Sequence, residues 1–240
     1  MRNHFPYDAS MISTNVLHNI TEVDRRIRAA EHAAGRRTGS VALLAVSKTK
    51  SSELVRKAYE SGLTAFGENY AQEMAEKARD LSSLPLTWHF IGPIQSNKTA
   101  IIAEVSDWVH SVDRLKIARR LSEQRPPEQG PLNILLQVKT SDEVSKSGVL
   151  PEELPELIAA IANLPNLILR GLMTIPAPTL DPDQQRQPFR ALHDTLMSLQ
   201  KDQPGLDTLS MGMSGDLEAA IAEGSTLVRV GTDIFGARYN

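Results

Sequence analysis

Lys48 is the residue of this sequence whose position most needs a chemical explanation. It follows residues 41–46, VALLAV, which are typical of a buried strand, and a helical pattern begins soon after it. Lysine is rarely buried without a partner or a task. Burial lowers the pKa of an amine, and the neutral amine can attack an aldehyde to form a Schiff base. The alternative is that Lys48 lies along the rim of the fold and keeps its charge in water.

Two later segments have residues suited to binding phosphate. Ser214 and Gly215 precede the helical pattern DLEAAIAEG, which predicts a helix start with a hydroxyl and unhindered backbone amides. Gly231 and Thr232 offer a second close backbone approach and a second hydroxyl. Taken singly, Ser214 is explained as a helix N-cap and Gly231 as a turn glycine. Their occurrence at the ends of the last two predicted strands favours a phosphate site.

The elements that must position these residues alternate regularly along the chain. A helix is predicted over residues 12–30, ending near Gly35. Apolar runs then predict eight strands, at residues 41–46, 64–68, 87–92, 107–112, 133–138, 167–173, 207–212 and 226–231. Helical patterns lie between them, at residues 51–61, 70–80, 97–104, 114–124, 151–163, 187–200 and 215–223. The proline-rich segments 125–131 and 176–188 are predicted to be loops.

This alternation predicts an α/β fold with a parallel sheet. Eight strand–helix units favour a single (β/α)8 TIM barrel over residues 1–240, with an additional N-terminal helix, and an open parallel sheet is the alternative. In such a barrel the site lies at the carboxyl ends of the strands, and the loops after strands 7 and 8 commonly bind phosphate. Lys48 and the two phosphate-type segments are therefore expected to meet.

Composition excludes several other classes of function. The net charge of −3 provides no basic field for nucleic acid, and no apolar run approaches the length of a membrane-spanning helix. The chain has no cysteine and no histidines at metal-ligand spacing, so neither a thiolate nor a metal site is predicted. The first ten residues lack the apolar core of a signal peptide, and we expect a cytoplasmic protein. A lysine with a phosphate site leaves two ligand classes open, namely pyridoxal 5′-phosphate (PLP) and the sugar phosphate of an aldolase.

Six motifs, in order from about residue 42 to 238, resemble those of one family: AVSKTK, FGENYAQE, WHFIGPIQSNK, GLMTIP, SMGMSGDLEAAI and RVGTDIFGAR. The family is that of the pyridoxal phosphate homeostasis proteins (YggS/PROSC), whose fold is like the barrel domain of alanine racemase. The resemblance implies that Lys48 forms the Schiff base with the cofactor and that Arg229 faces its pyridine nitrogen. It also implies a set of cofactor-binding residues around them, namely Asn69, Met211, Ser214, Gly215, Gly231 and Thr232. Lys146 resembles a second family lysine that holds or passes on the cofactor.

The resemblance implies a monomeric PLP carrier that buffers the cofactor or delivers it to apo-enzymes, without substantial catalysis. Arg229 can only donate hydrogen bonds, so the ring nitrogen must accept and remain uncharged, which makes the ring a weaker electron sink. The rival function is an amino-acid racemase, which needs a second acid or base. Tyr70 and His89 are the candidates for that group, although each is better explained as structural.

Three further expectations follow from the neighbours of these residues. Asp216 and Glu218 would repel a phosphate, so they should point away from it. Lys50 should make no bond, in contrast to Lys48. The family often has a lysine-bearing tail, whereas this chain stops at Asn240, so no role of a tail lysine can be transferred.

Overall fold

The computed structural model describes residues 9–140 and 147–237, with side chains from residue 15 onward. Its eight strands are β1 Ala42–Val46, β2 Ala65–Glu68, β3 Thr87–Phe90, β4 Trp108–Val112, β5 Leu132–Gln137, β6 Leu167–Met173, β7 Thr208–Ser210 and β8 Leu227–Val230. Its α-helices are α1 Ala9–Ala33, α2 Ser52–Glu60, α3 Ala71–Asp80, α4 Thr99–Val105, α5 Leu115–Gln124, α6 Leu154–Ile161, α7 Pro182–Leu199, α8 Leu217–Ala222 and α9 Thr232–Phe235. Single 3-10 turns occur at Ser96–Lys98, Pro127–Gln129 and Pro151–Glu153.

The strands form one closed parallel barrel in sequence order, β1 to β8, and β8 pairs back onto β1. Each predicted strand is present, with its ends shifted by at most two residues. The (β/α)8 prediction is therefore confirmed, and the open sheet is wrong. Barrel closure brings all eight carboxyl ends to one rim, which is where a site is expected in this fold.

Side chains of the strands alternate between two environments, as the pleat requires. One set joins the large apolar layer between the strands and the helices, which includes Phe66, Val109 and Leu209. The opposite set faces the barrel interior. That interior contains a small apolar cluster around Leu44 and Ile91 and also a row of buried polar side chains.

The N-terminal helix completes the helical layer. The helix after β8, α9, has only four residues, and α1 packs against both α8 and α9. The buried face of α1 repeats at helical spacing through Val16, Ile20, Val23, Ile27 and Ala30. Gly35 follows the helix with φ 65°, as expected for a helix-ending glycine. No helix in the described part of the chain is both long enough and apolar enough to span a bilayer.

The prediction of a loop over residues 176–188 is wrong in its second half, because α7 begins at Pro182. Asp181 is the N-cap and accepts hydrogen bonds from the amides of Asp183 and Gln184. Pro182 occupies the first turn, where a missing N–H costs nothing. Pro188 lies inside the helix and leaves the carbonyl of Gln184, an exposed residue, without its helical donor. A high proline content therefore did not distinguish a loop from a helix over residues 182–188.

Candidate functional site

Lys48, Asn69 and Gly231 lie side by side at the carboxyl rim of the barrel. Val46 pairs with Gly67, and the amide of Ser47 donates to the carbonyl of Gly67 at 3.0 Å. The same register places Lys48 beside Asn69, and both residues are half-buried. On the other side of β1, a Cβ added to Gly231 would lie 3.0 Å from the carbonyl oxygen of Val46. Three adjacent strands thus bring these predicted site residues together.

Lys77 on α3 forms a buried network beneath the turn that carries Lys48. Its ammonium donates to the carbonyl of Ser47 at 2.7 Å, to Glu68 Oε1 at 2.7 Å and to Glu73 Oε1 at 2.6 Å. These bonds use all three ammonium hydrogens. Glu68 Oε1 also accepts from the Ser47 hydroxyl at 2.6 Å, and Glu73 Oε1 accepts from the Thr49 amide at 2.5 Å. The Lys77 network therefore holds the chain on both sides of residue 48.

Thr49 has φ 63°, and in the described part of the chain it is the one residue other than glycine with a positive φ. This conformation is a genuine outlier for a β-branched residue, and it persists only where the surroundings determine it. The bond from the Thr49 amide to Glu73 provides that constraint. Backbone strain of this kind is common where a neighbouring side chain must be aimed. Here that neighbour is Lys48.

Two buried oxygen atoms beside Lys48 have no hydrogen-bond partner among the described residues, Glu68 Oε2 and Asn69 Oδ1. Burial raises the pKa of Glu68, although the adjacent Lys77 and Ser47 act in the opposite direction. A Cβ on Gly92 would lie 2.2 Å from the backbone oxygen of Asn69, so only glycine lets the two loops meet. Buried polar atoms are nearly always paired. The unpaired oxygens therefore leave two hydrogen-bond acceptors at this rim for a donor outside the described residues.

Arg229 is buried in the barrel interior and is held by strand ends. Its Nη1 donates to the carbonyl and the hydroxyl of Ser210 at 2.6 and 2.7 Å, and its Nη2 donates to the carbonyl of Thr174 at 2.9 Å. These bonds use three of the five guanidinium donors. Burial lowers the pKa of Arg229 to about 10, while Asp216 acts to raise it. Arg229 therefore remains a cation at neutral pH and can act only as a donor.

A row of buried polar side chains continues from Arg229 across the barrel. His110 Nδ1 lies 2.9 Å from Ser210 Oγ, and His110 Nε2 lies 2.9 Å from His89 Nδ1. Because Ser210 Oγ accepts from Arg229, it can donate its own hydrogen to His110 Nδ1. His110 Nε2 then carries the ring proton and donates it to His89 Nδ1. Burial lowers the pKa of His110 well below 6.5 and that of His89 to about 3, so both rings are neutral. This row fixes the orientation of Arg229.

The two turns predicted to bind phosphate are neighbours, because the amide of Arg229 in β8 donates to the carbonyl of Gly212 after β7 at 2.9 Å. Among the residues that the structure describes, the amides of Ser214 and Gly215 donate to no other group. The amides of Thr232 and Asp233 open α9, where a helix offers them no carbonyl. The N-cap position of α8 is occupied by Asp216 and not by Ser214. The explanation of Ser214 as a simple N-cap is therefore wrong.

The acidic residues near these turns behave differently from one another. Glu218 points away as expected, because it pairs with Arg26 of α1, with Nε and Oε1 2.7 Å apart. Asp216 instead turns back toward its own loop and accepts from the Met213 amide at 2.5 Å. Burial raises the pKa of Asp216, and the positive charge of Arg229 acts to lower it. The expectation that both carboxylates point away thus holds for Glu218 alone, and Asp216 lies within electrostatic reach of the site.

Other predicted residues are placed less favourably. Met211 is fully buried in the apolar layer outside the barrel; its amide donates to Leu227 and its carbonyl accepts from Ser225. Met211 directly follows β7, but its side chain packs in the apolar layer, and its predicted contact with the cofactor stays a prediction. Lys146 lies outside the described residues. Lys50 was expected to make no bond, which is wrong, because its ammonium donates to the carbonyls of Gly236 and Ala237 at 3.1 Å.

The two candidate second acid or base groups are poorly placed for that task. His89 lies inside the barrel and stacks on Trp108, with the ring centroids 5.6 Å apart. Tyr70 is 55% exposed and precedes α3, where its carbonyl accepts a hydrogen bond from the Met74 amide. Within the described residues, no group of three or more histidines and carboxylates could hold a metal ion. The described residues therefore present at this rim an amine, a guanidinium, hydroxyls, unpaired backbone amides and the unpaired oxygens of Glu68 and Asn69.

Sequence reasoning missed the Lys77 network and the row behind Arg229. FGENYAQE contains both Glu68 and Glu73, and Glu73 stands four residues before Lys77, the spacing of a helical ion pair. That spacing could have identified the network. No sequence signal pairs His89, His110 and Ser210, because they lie on three strands separated by up to 121 positions of sequence and meet only when the barrel closes.

Comparisons with known proteins agree with this architecture. Residues 18–239 match the family described as alanine racemase, N-terminal domain. The pyridoxal phosphate homeostasis protein of Pseudomonas aeruginosa is 59% identical over 225 residues, which cover 94% of this chain and 96% of that protein. The protein of the same name from Escherichia coli is 51% identical over 227 residues, covering 93% and 97%.

Among solved structures, PipY of Synechococcus elongatus with PLP bound superposes with a TM-score of 0.80 at 34% identity, covering 92% of this chain and all of that one. Alanine racemase of Corynebacterium glutamicum gives a TM-score of 0.67 at 18% identity, which shows a shared fold. The match covers 92% of this chain and 60% of the racemase. The remaining part of the racemase thus has no counterpart in the match.

Proposed function

The chain belongs to the alanine racemase N-terminal domain family and, within it, to the pyridoxal phosphate homeostasis proteins; from this premise we propose that it holds PLP as a Schiff base with Lys48 and buffers or delivers it. The observation that carries the proposal is the adjacency of Lys48, Asn69 and Gly231 at one rim, beside unpaired backbone amides. When bound, PLP supplies an aldehyde carbon that a neutral amine can attack, together with a phosphate and a pyridine ring.

The residues at the rim fit the parts of such a group. The unbonded amides of the turns after β7 and β8, with the hydroxyls of Ser214 and Thr232, provide donors for the phosphate. Two guanidinium hydrogens of Arg229 remain for the ring nitrogen. The unpaired Asn69 Oδ1 lies beside Lys48 and is available to a polar group of the ligand. The Lys77 network supports the turn from which the amine is presented.

The same geometry supports storage or delivery in preference to turnover. A racemase needs a second acid or base facing the first one across the substrate. His89 is neutral, buried inside the barrel and bonded to His110, and Tyr70 is more than half exposed to solvent. Arg229 stays protonated, so a ring nitrogen that accepts from it carries no proton, and the ring is a weak electron sink. These features support a carrier without substantial catalysis. Its apo-enzyme recipients, cytoplasmic location and monomeric state remain predictions.

The proposal is tested by titrating the purified protein with PLP and following its absorbance. We expect a yellow, borohydride-bleachable complex with the native protein and with Lys50→Ala, and no such complex with Lys48→Ala. Lys50 is the matched control, because it is two residues away in the same segment and its ammonium donates to the carbonyls of Gly236 and Ala237. The loaded protein should then reactivate an apo-enzyme that depends on PLP. Interconversion of L- and D-alanine that is lost in Lys48→Ala would favour the racemase instead.

A further inference from the structure

Arg26 on α1 contacts both turns that we assign to phosphate, although it lies nearly 200 residues before them. Its Nη2 donates to the carbonyl of Ser214 in the turn after β7 at 2.9 Å. Its Nη1 pairs with Asp233 in the turn after β8 at 2.6 Å. Its Nε pairs with Glu218 on α8 at 2.7 Å. A single guanidinium thus joins the two turns to each other and to the N-terminal helix.

The two turns have little of their own to hold them. Helix α8 has six residues and α9 has four, both too short to be stable without outside contacts. Gly215 has open space around it, since an added Cβ would meet nothing within 4 Å. Asn19 supplies one further tie from α1, by donating to the carbonyl of Ile234 at 2.9 Å. The N-terminal helix therefore supports this part of the rim, together with Gln185 of α7, which donates to the carbonyl of Gly215 at 3.2 Å.

Arg26 also controls the charge around the turns. Glu218 lies three residues after Gly215, and Asp233 itself carries one of the amides assigned to the phosphate, so a free carboxylate at either position would repel a phosphate dianion. Burial acts to raise the pKa of Glu218, but the hydrogen bond from Arg26, the backbone amide of Glu218 and the positive charge of Arg26 together outweigh it, so the pKa is lowered and Glu218 is charged at neutral pH. Arg26 draws both carboxylates to its own side, away from the barrel mouth.

We propose that Arg26 is a positioning residue that sets the preference of the site for a phosphorylated cofactor, by fixing both turns and holding Glu218 and Asp233 away from the phosphate. This inference rests on the proposed function, because it assigns a task in building the same site. Arg26 is not expected to touch the ligand. Its fork of donors spans three acceptors in different directions, which the single ammonium of a lysine reproduces only in part.

The test compares PLP with pyridoxal, which has the aldehyde and the ring but no phosphate. Equilibrium titrations of both ligands give a ratio of affinities for the native protein and for Arg26→Ala. We expect the ratio to fall by about tenfold in Arg26→Ala, the size of effect that follows from losing one hydrogen bond to a charged group. Arg26→Lys should give an intermediate ratio. Arg25→Ala is the matched control, because Arg25 is 67% exposed and its partner within the described residues is Glu22 on its own helix.

A triple variant, Arg26→Ala with Glu218→Gln and Asp233→Asn, separates the two parts of the effect and remains informative if Arg26→Ala alone folds poorly. Recovery of the ratio in the triple variant is expected if charge dominates. A ratio in Arg26→Ala equal to that of the native protein, or an equal loss for both ligands in every Arg26 variant, would overturn the inference. A native protein that binds PLP no better than pyridoxal would instead overturn the assignment of the turns to phosphate, and the inference with it.

Discussion

Removing the ammonium of Lys77 should destabilise the protein in a way that depends on pH. Lys77→Met retains most of the apolar stem but removes three bonds, and it leaves Glu68 fully buried with neither carboxylate oxygen paired to a cation. Breaking a buried ion pair by removing one partner typically costs about 3–5 kcal/mol. Glu68 can limit that cost by binding a proton.

Glu68 can contribute no more to this destabilisation than the free energy of protonating it, which follows from its ordinary pKa of 4.5. Protonating a carboxyl group with that pKa costs about 3 kcal/mol at pH 7 and below about 1 kcal/mol at pH 5. In Lys77→Met the folded-state pKa of Glu68 lies far above its unfolded value. In this variant the stability that comes from a protonated Glu68 is therefore fully present below pH 4.5, and it is lost as the pH rises toward the pKa of the folded state. The destabilisation should shrink by up to about 3 kcal/mol between pH 7 and pH 5.

The assay is urea unfolding of the native protein and Lys77→Met at both pH values. The difference between the two proteins isolates the network, because every other titrating group is common to both. Lys77→Met combined with Glu68→Gln is the control and should show no such pH dependence, since the buried carboxyl group is absent. A destabilisation by Lys77→Met that is equal at pH 7 and pH 5 would refute the reasoning, because it would mean that Glu68 never experiences an unpaired charge.

Two further predictions concern the barrel interior and the rim. The pKa of His89 falls from 6.5 to about 3 on folding, so as the pH decreases the unfolded chain binds a proton before the folded protein does. The free energy of unfolding should therefore fall by about 2 kcal/mol between pH 6.5 and pH 5 because of this residue alone. Urea unfolding of His89→Asn should show a shallower pH dependence than that of the native protein. An identical pH dependence in the two proteins would contradict this. Gly92→Ala places a Cβ 2.2 Å from the carbonyl oxygen of Asn69, so it should lower the free energy of unfolding by about 1–3 kcal/mol and also weaken PLP binding. The added methyl group of Gly215→Ala enters open space, so this variant should change the free energy of unfolding by no more than about 0.5 kcal/mol. Equal losses of stability in the two variants would be inconsistent with the described geometry.

The fold was predictable because its signals are local and repeated. Each buried strand is a short apolar run, and eight runs separated by helical patterns leave few architectures. The start of α7 was not predictable from proline content, because Pro182 is tolerated at a helix start and Pro188 on a half-exposed face. The short α9 was also missed, because four residues are too few to show helical periodicity.

The site was predictable only where residues follow strand ends. Lys48, Gly231 and Thr232 could be placed at the rim from their positions in the sequence, and family resemblance added Asn69 and Arg229. The supporting contacts could not be predicted in this way. Arg26 reaches Ser214 and Asp233 across almost the whole chain, and the row through His110 and His89 exists only in the closed barrel. Such contacts depend on tertiary packing that no local pattern encodes.

The most direct test of the central claim is peptide mass mapping after borohydride reduction of the protein loaded with PLP. The account predicts a stable adduct on the peptide that contains Lys48, with fragmentation that places it on Lys48 and not on Lys50. It also predicts that Lys77, whose three hydrogens are used within its network, carries none. An adduct on another lysine of the native protein, with Lys48 unmodified, would contradict the account.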